Sequence, residues 1–499
     1  MNTSTADFAS SSPLHSSSSL NFYYVSKYID NPQNIALLLA VTSLVSILFY
    51  PSRKLPNASV FGYRSFFEPT RLLQSRFIMG ANDIIHDAYE TMKNKPYVLR
   101  RFDVNFLVLP MKYLEDLAPK WTSMDFLLHS NLHLDVPKLI PELYKFVDKA
   151  KEELAFGWHL DLPHTDDWTE VSIEHHLRKL VARMTAKVFM GNPTCRNPEW
   201  LEISIEFSVD LFTTAFTVKM FPTWMSWLVA GGLSANSPDN TTSSNRREPR
   251  AKKPKRKILL NWMLDHGTPS EVEVKEMGAR QCVLTLASIH TTASNVSNML
   301  YDLCAHPVWF PVLRQEIFEV AKLLNLLAQT LTLVQRNGAR EWDKFDSFFV
   351  ESQRHSPVLL LNPQRLAYGD ITLKDGTFVP AGSRLAFANF EHSMDPNVFE
   401  NPREFAPMRS YRKRMSSPDQ KDQHKAGMTH PNNLAFGYGN QACAGRQFAV
   451  AEIKLIMARL LYEFDFKFPA GKTRPRTQHV NENCFTDQSM TLMMKKRET

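Results

Sequence analysis

Apolar residues recur at the 3.6-residue spacing of amphipathic helices through most of residues 60–360. Proline-bearing breaks, such as Asn192-Pro193 and His306-Pro307, divide this stretch into separate helices. One helical run, residues 272–304, is unusually long. From Arg365 the texture changes. Ile371 to Val379 reads as a hairpin turning at Lys374-Asp375-Gly376, and residues 395–433 are irregular, proline-rich and basic. A last strong helix is predicted over 445–464, with Val450, Ile453, Ile456, Met457, Leu460 and Phe464 on one face. The pattern predicts a mainly α fold with a minor β region and no internal repeat.

The first 33 residues are Ser-rich, with Ser16 to Ser19 in a row, and read as a disordered tail. Residues 34–52 read as a transmembrane anchor. Ile35 to Tyr50 is a run of sixteen residues without a charge, which Asn34 and the flanking aromatics extend towards spanning length. Arg53 and Lys54 follow at once, so the positive-inside rule places the body of the chain, 53–499, in the cytosol. A cleaved signal peptide fits less well, because Asp7 and Asp30 lie in a long segment ahead of the apolar core.

Composition narrows the class. Hydrophobic residues make up 43% and charged residues 22% of 499, which excludes a disordered, collagenous or polytopic membrane protein. Residues 246–257 hold eight basic residues and one acid, a surplus equal to the whole chain's net charge of +7. No nucleic-acid motif accompanies this run, so it reads as a solvated loop rather than a nucleic-acid patch. The five cysteines (Cys195, Cys282, Cys304, Cys443, Cys484) are odd in number and form no CxxC pair, so neither a zinc site nor a disulfide framework is indicated. Cys282 and Cys304 read as core residues, and Cys195 and Cys484 as inert residues in turns.

Cys443 is different. The segment Phe436-Gly-Tyr-Gly-Asn-Gln-Ala-Cys443-Ala-Gly445-Arg446 sets a cysteine in a glycine-bearing loop directly before a helix. A helix N-terminus favours thiolate over thiol. Gly439 and Gly445 remove side chains where backbone must approach a flat object, and Phe436 can pack over that object. Glu351-Ser-Gln-Arg354 places an acid and a base on one helical face. In the long helical run, Ala287-Ser-Ile-His-Thr291-Thr292 sets two threonines in mid-helix, where their propensity is poor and a bond back to a carbonyl is the plain reading.

Together these motifs resemble the cytochrome P450 family. The resemblance implies a haem-thiolate monooxygenase: haem b as cofactor, Cys443 as the axial ligand to iron, and electrons from NADPH–cytochrome P450 reductase used with O2. It implies that Phe436, Gly439, Gln441, Gly445 and Arg365 bind the cofactor. Glu351, Arg354 and Arg409, the last following Pro402-Arg-Glu-Phe405, would form a buried ion network holding the thiolate loop. Thr291 and His290 would deliver protons. Three departures stand out. Gln441 occupies a position where the family usually has Arg or His. His290 replaces an acid, and a histidine can still relay protons. No tryptophan has Arg four residues later; Trp121 is followed at that spacing by Asp125. Residues 322–340 fit the family poorly.

Ala-x-Ile-His-Thr-Thr and Asp346-Ser347…Glu351 are similar to a fungal branch that oxidises diterpenes, indole diterpenes and meroterpenoids. The expected substrate is therefore a small hydrophobic secondary metabolite, probed at the endoplasmic reticulum membrane by a cytosolic catalytic domain. Val358 to Leu361 would line its pocket or form a buried strand. The basic residues 412–425 and Arg446 offer either a solvated face or a surface that steers an acidic reductase. Two other readings stay open: a haem-thiolate isomerase or dehydratase without net oxygenation, for which His290 speaks, and a degenerate non-enzymatic member, for which Gln441 speaks.

Overall fold

The computed structural model describes residues 58–117, 122–123, 143–219, 258–323 and 342–498. The expected tail (1–33) and anchor (34–52), the basic run 246–257, Trp121 and residues 324–340 lie outside them. No helix among the described residues is long and apolar enough to cross a membrane. The described residues fall into two compact units. In the first, residues 65–72, Phe66 and Phe67 are exposed and meet edge to face at 5.4 Å. The second holds 58–64 and 73–498 and contains the site.

In chain order the elements begin with β1 (Ser59–Val60), α1 (Thr70–Met92), β2 (Tyr97–Arg100), β3 (Asn105–Val108), α2 (Leu114–Leu117) and β4 (Thr122–Ser123). Then come α3 (Leu143–Asp161), β5 (Thr169–Val171), α4 (Ile173–Phe189), α5 (Pro198–Lys219), α6 (Leu259–His266), α7 (Val274–Ala305), α8 (Trp309–Leu323) and α9 (Asp343–His355). The C-terminal part holds β6 (Arg365–Ala367), β7 (Ile371–Thr372), β8 (Phe378–Val379), β9 (Arg384–Ala386), α10 (Asn389–Ser393), α11 (Arg409–Arg414) and α12 (Arg446–Glu463). It closes with β10 (Phe464–Lys467), β11 (Gln478–Val480), β12 (Asn483–Phe485) and β13 (Leu492–Lys496).

The long helix, the hairpin β7–β8 and the last helix stand where the pattern puts them. The helical texture of 60–360 concealed five short strands. Four of them, β1, β2, β3 and β4, join β6 and β9 in a six-stranded sheet of order β1-β2-β3-β9-β6-β4. β5 joins β10 and β13 antiparallel. These pairings cross up to several hundred residues, so no local pattern could announce them. Val358 to Leu361 is not a strand: Leu360 and Leu361 are buried beside α1 and the sheet, Val358 is exposed, and Leu359 makes one isolated bridge to Asn483.

The main core gathers α3, α4, α7, α8, α9 and α12 around residues such as Trp158, Leu177, Val296, Phe348 and Ile456. α7 spans 32 residues, about 48 Å at 1.5 Å per residue, and packs on α4, α5, α9 and α12. α9 places Asp343 and Asp346 in its first turn and Arg354 and His355 in its last, the arrangement that complements the helix dipole. α12 corrects the one-face reading. It is buried nearly all round from Val450 to Leu461, and its buried residues include Glu452 and Lys454. A helix enclosed on every side needs no polar stripe.

Candidate active site

The loop 436–446 is built by its own backbone. Gly437 and Gly439 take φ of +76° and +70°, a region costly for any side-chain-bearing residue, and turn the chain back. The Cys443 N–H then donates to the Phe436 carbonyl at 2.8 Å, closing the loop, and α12 starts at Arg446. The Cys443 side chain is open to solvent in a depression walled by protein on most of its other sides. That burial raises the thiol pKa, while the N–H groups of Gly445 and Arg446 and the Arg446 charge act in the opposite direction. The start of a helix and a nearby positive charge favour the anionic form of a sulfur beside them.

Two observations around this sulfur, the space over Gly445 and the charge of Arg365, point to a flat anionic ligand. A Cβ on Gly445 would meet nothing within 4 Å, so open space lies over that backbone. Gln441 Oε1 is also buried without a hydrogen-bond partner among the described residues, but as an acceptor it calls for a donor rather than an anion. Arg365, at the start of β6, is buried, and burial lowers its pKa to about 10. Its guanidinium donates to the carbonyls of Gln364 (2.8 Å) and Tyr438 (3.0 Å) and meets no carboxylate among the described residues. A buried cation without a counter-charge beside the cysteine loop is a receptor for an acidic group.

Glu351, Arg354 and Arg409, the network that the resemblance implies, lie together. Arg354 grips Glu351 in bidentate fashion at 2.9 and 2.8 Å, both side chains buried. Arg409 Nε approaches Glu351 to 3.5 Å, and Glu351 also accepts the Ala406 N–H at 2.9 Å. Burial opposes ionisation of Glu351, yet the bonds from Arg354 and His355 win and hold its pKa down at about 2. Phe405 is stacked on His306 at 4.9 Å, fixing the chain between Pro402 and Arg409. Beyond α9, Asn362 donates to the Leu434 carbonyl at the entrance of the cysteine loop.

On α7 neighbouring residues part company. Thr291 Oγ1 donates back to the Ala287 carbonyl at 2.7 Å, the plain mid-helix reading. His290 is half-buried, and its Nε2 lies 3.1 Å from the Ile205 carbonyl on α5. That bond makes Nε2 the proton-bearing nitrogen. Burial lowers the His290 pKa, so the ring is neutral at pH 7 and faces α5. Ser288 bonds back to the Leu284 carbonyl.

The remaining cysteines carry no comparable setting. Cys195 is buried in a short helical turn with its thiol on Asn192 Oδ1 at 2.9 Å, and Cys484 lies in β12, not in a turn. Sequence reasoning missed two charged pairs. Lys454 on α12 meets Asp346, and Arg414 on α11 meets Asp343, all four groups wholly or largely buried. The only signal was an Asp-x-x-Asp at the start of α9.

The cytochrome P450 family profile matches residues 113–492. Cytochrome P450 monooxygenase ATR4 of Stachybotrys chlorohalonatus (strain IBT 40285) is 38% identical to this chain, covering 95% of it and 97% of the relative. Ent-kaurene oxidase P450-4 of Gibberella fujikuroi (strain CBS 195.34 / IMI 58289 / NRRL A-6831) is 33% identical, covering 88% and 92%. Among solved structures, retinoic-acid-bound cyanobacterial CYP120A1 superposes with a TM-score of 0.60 at 16% identity, covering 89% of this chain and all of that one, a likeness of fold.

Proposed function

The chain belongs to the cytochrome P450 family and is a monooxygenase, and from that premise we propose that it oxidises a small hydrophobic secondary metabolite of terpenoid type with haem b held by Cys443. The carrying observation is the loop 436–446: a cysteine closed into a glycine turn directly before α12, beside a buried Arg365 that meets no carboxylate among the described residues. Cys443 would hold the haem iron through its thiolate. Arg365 would receive a haem propionate, and Gln441 would add an uncharged contact only through its amide N–H donors. Phe436, Gly439 and Gly445 leave room for the ring. Bound haem supplies the oxygen-activating chemistry: two electrons and two protons reduce O2, one oxygen atom entering a C–H bond and the other leaving as water.

This chain's own residues do the rest. Thr291 would offer a hydroxyl that holds a proton for the reaction, its back-bond to Ala287 fixing the rotamer. Glu351, Arg354 and Arg409 keep the cysteine loop in place without touching substrate. The rearrangement reading leaned on His290, whose ring instead engages Ile205. Electrons come from NADPH–cytochrome P450 reductase, met through the basic surface around Lys413 and Arg446. Residues 34–52 anchor the domain 53–499 to the endoplasmic reticulum, a reading supported by the uncharged run and the basic pair after it. The terpenoid class is supported by the ent-kaurene oxidases among the relatives.

Two measurements test this. The purified full chain, reduced under carbon monoxide, is expected to show the long-wavelength band of thiolate ligation. Co-expressed with a reductase and fed diterpenes, it is expected to yield products with added oxygen by mass spectrometry. A chain that binds no haem would overturn the proposal.

A further inference from the structure

Cys443 precedes the first residue of α12 by only three positions, so the sulfur is seated no more accurately than α12 itself. α9 is the frame for the incoming side of the loop, through Glu351 to Ala406 and Arg409. The same helix also reaches the outgoing side. Lys454 Nζ lies 2.6 Å from Asp346 Oδ1, and the two side chains are 1% and 2% exposed. One turn earlier, Arg414 reaches Asp343 at 2.7 Å. Ser347, next to Asp346, donates to the Pro407 carbonyl at 2.5 Å and accepts the Tyr411 N–H at 2.9 Å. α11 is thus tied to α9 at both ends, by Arg409 and by Arg414, and α12 is tied to α9 by one charge pair.

That pair is a poor source of stability. Two charges taken wholly out of water lose more hydration than a single contact returns. Here one close ammonium–carboxylate contact is set against the lost hydration of both groups. Burial pushes the Asp346 pKa up in spite of Lys454. What the pair does provide is a unique register. Most other buried positions of α12 are apolar, and apolar contacts of similar shape discriminate between neighbouring registers less sharply than a charge pair does. Moving Lys454 off Asp346 would strand two buried charges. We infer that Asp346 and Lys454 are positioning residues: their contact sets the register of α12 against α9 and through it the seat of the Cys443 sulfur. The inference rests on the reading of Cys443 as axial ligand.

The test uses the haem-loaded full chain and three readouts: melting temperature, the fraction of carbon-monoxide complex in the thiolate band, and the midpoint potential. K454R keeps the charge but changes the reach of its head group. It is expected to fold, to lose at least half of the thiolate-type fraction and to shift the potential. D346L/K454M replaces the pair with apolar side chains of similar length. It is expected to melt at or above the wild-type temperature while the thiolate fraction stays low. Wild-type fraction and potential in K454R, or in the double variant, overturns the inference, as does failure of both variants to fold, because the pair would then be a stability element. A wild-type chain with no thiolate band removes the Cys443 assignment instead, which is a separate failure.

Discussion

The cysteine loop and the 287–292 stretch of α7 are the two regions whose residue types pointed to chemistry, and the fold treats them differently. In the loop, the residues identified by spacing converge. Phe436 and Cys443 bond through their backbones, Gly437 and Gly439 make the turn, and Arg365 reaches Tyr438. On α7, adjacent residues diverge by about 100° around the helix. Thr291 folds back on its own helix while His290 crosses to α5. A tight loop binds its members together through its own hydrogen bonds. A helix distributes consecutive residues among whatever neighbours surround it, so adjacency in sequence there says little about shared chemistry.

Substitutions can break this contrast. The largest effect is expected for Cys443→Ser, which should abolish the thiolate band completely while the circular dichroism and fold persist; a surviving band would show that another residue ligates iron. Next is Glu351→Gln, which leaves Arg354 and Arg409 short of their counter-charge in a buried setting. It should cost about 3–5 kcal/mol in chemical denaturation, and a loss below 1 kcal/mol would mean that the network does not hold the loop. Thr291→Ala should lower product formation by roughly ten- to hundredfold, with reduced coupling of NADPH to product, at unchanged haem content. Equal coupling in the variant would place the proton route elsewhere.

The smallest effect sharpens the contrast. His290→Leu removes one hydrogen bond to α5 and should cost about 1 kcal/mol at neutral pH, with turnover changed far less than in Thr291→Ala. Its pH dependence has a defined sign. Burial depresses the folded-state pKa of His290 below its ordinary 6.5, so the unfolded chain binds the proton first on acidification. The neutral ring therefore favours folding above pH 6.5, and that contribution is lost as pH falls through the interval between the unfolded and folded values. The leucine variant should lose less stability than wild type between pH 7 and 5 in parallel melts. An identical acid slope would mean that other groups, such as His392 and His479, whose pKa values burial also lowers, carry the response.

Much of the site was legible because its geometry is local. The spacing from Phe436 to Gly445, the i, i+3 pair Glu351/Arg354 and the glycine turns depend on residues a few positions apart, and backbone physics alone brings them together. Helix existence was legible for the same reason: the 272–304 run and the 445–464 helix follow from periodicity. What the chain could not announce is which helix faces which. Nothing in the sequence marked Lys454 and Glu452 as buried, yet the neighbouring elements enclose both. The Asp346–Lys454 pair spans 108 positions, and the six-stranded sheet joins β3 to β9 across the whole helical part. Burial is a property of the packed assembly. Whether a charge meets water, a partner or nothing is therefore decided only when the helices come together, while the identity of a loop that can cradle a thiolate is already fixed by its own short run of residues.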